Sequence, residues 1–243
     1  MGSSPTSRVE QKTLAKASVF CYSLDMVKTK MKKIVIFDMD GVLFDSIPYA
    51  RQAFMETHPG VTEEMYKGIH SGNYHKEASK FSHLAVEEAE EEKNRRKLAY
   101  AEKKSKTKLF DGIKNFLVEL HGLGFKLVLN TNAYSRNCLP LLENAKINNL
   151  FDFIASAEIS KDKVEKFGII GNKYNAENNE MLFVTDALGD LRDADAASVP
   201  TLAVTWGVHD KTYFNREKHL NLINVVDNVG DLNKAIETYF QNI

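Results

Sequence analysis

From Lys32 onward, short apolar runs alternate with longer stretches of mixed polarity. Strand-like segments fall at 33–38, 125–130, 152–156, 181–185 and 200–205, with a weaker one at 222–226. Several are unbroken apolar runs rather than alternating ones, the pattern of strands covered on both faces. Helical stretches separate them at 110–121, 134–146, 162–174, 189–197 and 230–240. The first of these places Ile113, Phe116, Leu117 and Leu120 on one face. Repeated strand–helix–strand order predicts an α/β fold with a mostly parallel sheet and right-handed crossovers.

One stretch breaks this rhythm. Between Ser46 and Lys108 there is no strand pattern, only helix signals and the charged run VEEAEEEKNRRKLAYAEKKSK. Glu91 with Arg95, and Glu92 with Arg96, stand four apart in the favourable order. The run reads as a solvated helix face, so a helical insert is expected at 48–107, within a core made of 31–47 and 108–243. Residues 1–30 open small and polar, with weak periodicity. Their basic and hydroxyl residues suggest a transit peptide, but Glu10, Asp25 and the want of a cleavage site argue for a poorly ordered or loosely helical extension. Met31-Lys32-Lys33 would make a natural start directly before the first strand.

Composition narrows the function class. The chain has 243 residues, 43% hydrophobic and 27% charged, which suits a soluble globular domain with an insert. A formal net charge of −1 offers no global basic field for nucleic acid or anionic lipid. No apolar run approaches the roughly 20 residues that span a bilayer. Cys21 and Cys138 lack metal-type spacing and imply no disulfide framework, in keeping with a cytoplasmic protein. The expected partner is a small molecule, and the expected state a monomer or homodimer.

The chemistry gathers where apolar runs stop. In an open parallel sheet, ligands bind beyond the carboxyl ends of the strands. Ile34-Val35-Ile36-Phe37 runs straight into Asp38 and Asp40, followed by Gly41. A second run ends in Thr131 and Asn132, and a third in Asp186, with Asp190 four residues on. Four carboxylates brought together would repel unless a cation intervenes, and oxygen donors without His or Cys favour Mg²⁺. A carboxylate beside that ion can attack phosphorus while a second acid protonates the leaving oxygen. Plainer readings exist for each group. Asp38 and Asp40 could shape a turn, Thr131 and Asn132 could cap a helix, and Asp190 could cap a helix at 191–197. Asp45 reads as shaping the loop, His70 and His75 as solvent-facing, Trp206 as packing and Cys138 as a small buried side chain.

These segments resemble those of the haloacid dehalogenase-like (HAD) hydrolase superfamily, and within it the phosphoglycolate phosphatase-type enzymes with a small helical cap. FDMDGVLFDS at 37–46, LNTN at 129–132, SKDKVEKF at 160–167 and TDALGD at 185–190 carry the likeness, with AVTWG at 203–207 as a further echo. The resemblance implies a Rossmann-like three-layer core with the cap inserted after the first strand. It implies a Mg²⁺-dependent phosphatase that hydrolyses a small phosphorylated metabolite, phosphoglycolate-like, through an aspartyl-phosphate. Asp38 would be nucleophile and metal ligand. Asp40 would be general acid and then base, reaching the metal through its backbone carbonyl. Thr131 and Asn132 would hold the phosphoryl oxygens, Asp186 would complete the metal site, and Asp190 would stand beside it. A lysine would balance the developing charge. The family's lysine is often followed by proline and here it is not; Lys163 ranks first because its spacing to Phe167 suits a helix that starts there and faces the core, with Lys161 close behind and Lys166 last, further along the helix. Thr185 stands where many relatives have glycine. The rival readings are a β-phosphoglucomutase-type mutase and a catalytically silent relative that binds a partner. A haloacid dehalogenase proper would usually lack the second acid, here Asp40.

Overall fold

The computed structural model describes residues 32–217 and 221–243. The extension expected at 1–30, with Cys21, lies outside the described residues. Six strands form one sheet: β1 (Ile34–Phe37), β2 (Lys126–Asn130), β3 (Phe153–Ala155), β4 (Met181–Thr185), β5 (Thr201–Val204) and β6 (Leu222–Val226). Their order is β3-β2-β1-β4-β5-β6, and every pairing is parallel. The α/β fold expected from the pattern is present. The first five strands keep their expected positions, four of them trimmed by a single residue at one or both ends.

The unbroken apolar runs have a direct cause. β1 lies in mid-sheet, and all four of its residues are buried. Val35 and Phe37 face a core shared with Leu129, Val184, Leu117 and Ile236. Ile34 and Ile36 face the other side, against Phe167, Ile170 and Ala194. Both faces are covered, so neither set of alternating positions is free to be polar. Each such side chain contributes about 1.5–3 kcal/mol by leaving water. Helices α5 (Ile113–Gly122) and α10 (Val229–Gln241) supply one outer layer. Helices α7 (Lys163–Tyr174) and α8 (Leu188–Ala196) supply the other. In α5 the buried residues are Ile113, Phe116, Leu117 and Leu120, the expected face.

Between β1 and α5 the described residues hold helices and no strand: α1 (Ile47–Thr57), α2 (Glu63–Ile69), α3 (Tyr74–Ser79) and α4 (Glu90–Ser105). Thr62 caps α2 by accepting from the Met65 amide at 3.2 Å, and Asn73 caps α3 by accepting from the Lys76 amide at 3.2 Å. Val61, Tyr66 and Ile69 form a small core of their own, packed by Ile47, Phe54 and Tyr74. Where the stretch leaves and rejoins the sheet, Phe44 and Leu109 form an antiparallel bridge.

Two expectations about the charged run need correction. Arg95 pairs with Glu92 at 3.1 Å, three residues away, and Arg96 forks onto both oxygens of Glu88 at 2.9–3.1 Å. A two-point guanidinium–carboxylate contact is stronger than the single contact that Glu92 would offer from the same helix. The run is also not solvated throughout, because Lys104 is only 5% exposed and turns toward the sheet.

Helix α6 (Ser135–Asn144) follows β2 and buries Cys138. A short helix, α9 (Lys211–Phe214), follows β5. No helix among the described residues is long and apolar enough to cross a membrane.

Candidate active site

Three strand ends meet at one height. Phe37 pairs with Leu129 on one side and Val184 on the other. The residues just beyond, Asp38, Thr131 and Asp186, therefore line a single cavity of about 260 Å³. Asp40, Asn132, Lys163 and Asp190 line it too, so these seven candidates arrive at one place.

Asp38 leaves β1 with its amide donating to the Val184 carbonyl at 3.0 Å, and its Oδ1 accepts from the Met39 amide at 2.8 Å. It is 9% exposed. Burial holds its carboxyl well above the usual range, and the charges of Asp190 and Asp186 push the same way against Lys163. Lys163 is the first residue of α7, whose N-cap Asp162 accepts from the Val164 amide at 2.8 Å. That cap fixes the helix start and aims Lys163 inward, where it is 1% exposed. Its Nζ lies 3.1 Å from Asp38 and 2.6 Å from Asp190. Burial alone would lower the lysine's pKa, but the two carboxylates override it and hold the ammonium charged. Asp190 is buried too, yet the nearer contact with Lys163 keeps it below the ordinary carboxylate value.

Lys161 is exposed, so it does not compete for this place. Lys166, ranked last, is fully buried and donates to the Thr131 carbonyl at 2.7 Å and to Asn132 Oδ1 at 3.1 Å. Lys166 comes nearer the site than Lys161 because one helical turn brings Lys163 and Lys166 to the same face. Burial, with Lys163 adding repulsion, lowers Lys166 to about 7. Thr131 and Asn132 do not cap the next helix. Thr131 Oγ1 accepts from the Ala133 amide at 3.1 Å, while Tyr134 holds the cap position without a side-chain bond. Asp190 is no terminal cap either, since α8 begins at Leu188. Thr185 has a use that glycine could not supply: its hydroxyl donates to Asp190 at 3.1 Å.

Asp40 is held from two sides, by the Ser46 hydroxyl and by Lys104 Nζ at 2.7 Å. Sequence reasoning missed Lys104, which lies 64 residues away inside a run of exposed charges. Asp186 accepts from the Val208 amide at 2.7 Å, and burial pushes its carboxyl up to about 7. A Cβ on Gly41 or Gly207 would lie 2.0 or 2.1 Å from its Oδ2, so both positions require glycine. At Gly41 the left-handed φ of 79° gives a second reason.

The inserted helices close over this floor. The Gly189 amide donates to the His70 carbonyl at 2.8 Å, and a Cβ at Gly189 would lie 2.3 Å from the Gly72 oxygen. His209, fully buried, accepts from the Leu188 amide at 2.9 Å through Nδ1 and bonds the Lys67 carbonyl at 3.0 Å through Nε2. Tyr66, His70 and His75 thereby line the cavity opposite the acids. The histidines expected at the solvent are partly enclosed, because the 70–73 connection between α2 and α3 is tied down onto α8.

Among the described residues no three Asp, Glu, His or Cys side chains converge as a ready ligand set for a metal. Lys163 stands between Asp38 and Asp190, and Asp186 turns toward Val208. The donor chemistry nevertheless fits a hard divalent cation. Four carboxylates and two ammonium groups line the cavity, the four acids offer oxygen donors alone, and two of the carboxyls are raised. A pH test follows from Asp186. A carboxyl raised from ~4 to about 7 favours folding below pH 4 and loses that contribution as the pH climbs to 7. In EDTA, the stability of Asp186→Asn relative to wild type should therefore improve from pH 4 to 7 and then level off, as read by urea denaturation. Mg²⁺ should raise the wild-type melting temperature more at pH 7.5 than at pH 5.

The sequence model described as haloacid dehalogenase-like hydrolase matches residues 35–204. A phosphoglycolate phosphatase of Pseudomonas syringae pv. syringae is 26% identical over 223 residues, covering 85% of this chain and 79% of its own. A phosphoglycolate phosphatase of Yersinia pestis is 30% identical over 199 residues, covering 75% of this chain and 84% of its own. A haloacid dehalogenase-like family hydrolase from Streptococcus pneumoniae has the same fold, with a TM-score of 0.68 at 19% identity over 87% of this chain and 99% of its own.

Proposed function

We propose, for a chain that belongs to the haloacid dehalogenase-like hydrolases and is a phosphatase, that Asp38 attacks the phosphorus of a small phosphomonoester. An Asp38 oxygen bonds to phosphorus as the bond to the leaving oxygen breaks, and Asp40 gives that oxygen its proton. Asp40 then takes a proton from water, the water oxygen attacks phosphorus, and Asp38 leaves as carboxylate. Lys163 balances negative charge on the phosphoryl oxygens, and Thr131 and Asn132 position them. Asp38, Asp186 and Asp190, with the backbone carbonyl of Asp40, would hold Mg²⁺, which neutralises charge on the phosphoryl group and on the acids. The inserted helices at 48–107 act as a lid that excludes bulk water during the first step.

One observation carries this reading: a buried ammonium shared by Asp38 and Asp190, beside Thr131, under a second layer of helices. The 260 Å³ cavity supports a small substrate, of the size of the phosphoglycolate named for the relatives. The test is hydrolysis of p-nitrophenyl phosphate with Mg²⁺ and with EDTA. Turnover is expected with Mg²⁺ and not with EDTA, releasing one free phosphate per ester consumed. A mutase would retain phosphoryl groups on product alcohols, and a silent binding protein would release none.

A further inference from the structure

The roof of the cavity differs from its floor. Tyr66 is 1% exposed, and its hydroxyl has no hydrogen-bond partner among the described residues. The Nε2 atoms of His70 and His75 are likewise buried and unpartnered. All three residues line the cavity that holds Asp38 and Asp40. A buried polar atom left unpaired destabilises the fold. The three residues that carry these atoms line one cavity, where a ligand can supply the partners that the fold does not.

We propose that Tyr66, His70 and His75 bind the leaving alcohol of the substrate, and that this alcohol is neutral and hydroxylated, not a carboxylate. The inference rests on the phosphatase reading above and names its substrate class.

The charge inventory supplies the second half of the argument. Lys163 is engaged by Asp38 and Asp190, and Lys104 by Asp40. They are the only lysines or arginines among the residues lining this cavity. Burial, with His209 nearby, lowers His70 to about 4, and His75 is lowered as well, so both present neutral rings at pH 7. A carboxylate on the leaving group would enter a space lined by four acids, with no unpaired lysine or arginine among its lining residues. A buried, unpaired charge is far costlier than a buried hydroxyl. A hydroxyl both donates and accepts, so it can satisfy a tyrosine hydroxyl or either face of a neutral imidazole. His70 stands 5.0 Å from Tyr66 and 5.3 Å from Tyr74 between ring centroids, an aromatic wall suited to the carbon side of a polyol.

The experiment uses two esters of one size, 2-hydroxyethyl phosphate and 2-phosphoglycolate, which differ in a hydroxymethyl against a carboxylate. The full chain with Mg²⁺ is assayed on both by phosphate release, with p-nitrophenyl phosphate alongside. A kcat/KM for 2-hydroxyethyl phosphate at least about tenfold higher is expected. Tyr66→Phe, which removes only the unpartnered hydroxyl, and His70→Gln should each cut that ratio by roughly five- to tenfold. Equal or greater kcat/KM for phosphoglycolate, or a ratio unmoved in both variants, overturns the inference and leaves the phosphatase reading standing. Failure to hydrolyse any of the three esters, p-nitrophenyl phosphate included, overturns both.

Discussion

Asp38→Asn should abolish turnover while leaving the protein folded, and at neutral pH as stable as the wild type or more so. The rate loss is expected at about 10⁴-fold or greater, since an amide cannot displace an alkoxide from phosphorus and the remaining groups only bind and polarise. The stability follows from Asp38's position. Its carboxyl is buried and held above the ordinary range, so its ionised form works against folding at pH 7. Asparagine keeps the shape and an acceptor for the Met39 amide, which now bonds Oδ1 at 2.8 Å. Lys163 keeps its closer partner, Asp190. Parallel measurements of p-nitrophenyl phosphate hydrolysis and thermal unfolding decide the matter. Retention of near wild-type turnover would assign the nucleophile elsewhere.

Lys163→Met should fail in both respects. Removing the ammonium strands Asp38 and Asp190 at the base of the cavity, and breaking a buried pair from one side typically costs about 3–5 kcal/mol. For a chain of this size that amounts to a melting temperature lower by roughly 10 °C. Turnover should fall by about 10²–10³-fold, the usual worth of a charge aimed at a developing anion. The pH dependence separates this cause from simple loss of packing. The lysine's folded pKa is raised, so its own contribution is fully present through neutral pH and is lost only in strong alkali. The stranded carboxylates can take up protons. The stability defect should therefore be largest near pH 8 and shrink toward pH 5. The exposed Lys161, changed to Met, should stay within about 0.5 kcal/mol of wild type. A pH-independent defect in Lys163→Met would point to packing.

Three lysines show how far a pattern in the chain reaches. Lys163 could be picked out because its spacing to Phe167 suits a helix that starts there and faces the core, a signal carried within a few residues. Lys166 was ranked last on distance along the helix, yet it reaches the Thr131 carbonyl because α7 packs directly against the end of β2. Lys104 carried no local signal. It sits among exposed lysines and glutamates, and only the path of α4 back toward the sheet brings it to Asp40.

By itself, the sequence determined what local forces settle. Unbroken apolar runs made doubly covered strands, and the residues at the ends of those strands became the floor of the cavity. A strand covered on both faces can carry polar groups only at its ends, so Asp38, Thr131 and Asp186 are legible in the sequence. Tertiary structure alone decided the roof: His70, His75 and Tyr66 became cavity walls once Gly189 and His209 tied the 67–72 segment to α8. Those contacts join positions more than a hundred residues apart, and no local period encodes them. Their energy comes from packing and from hydrogen bonds that exist only after the two parts of the chain have met.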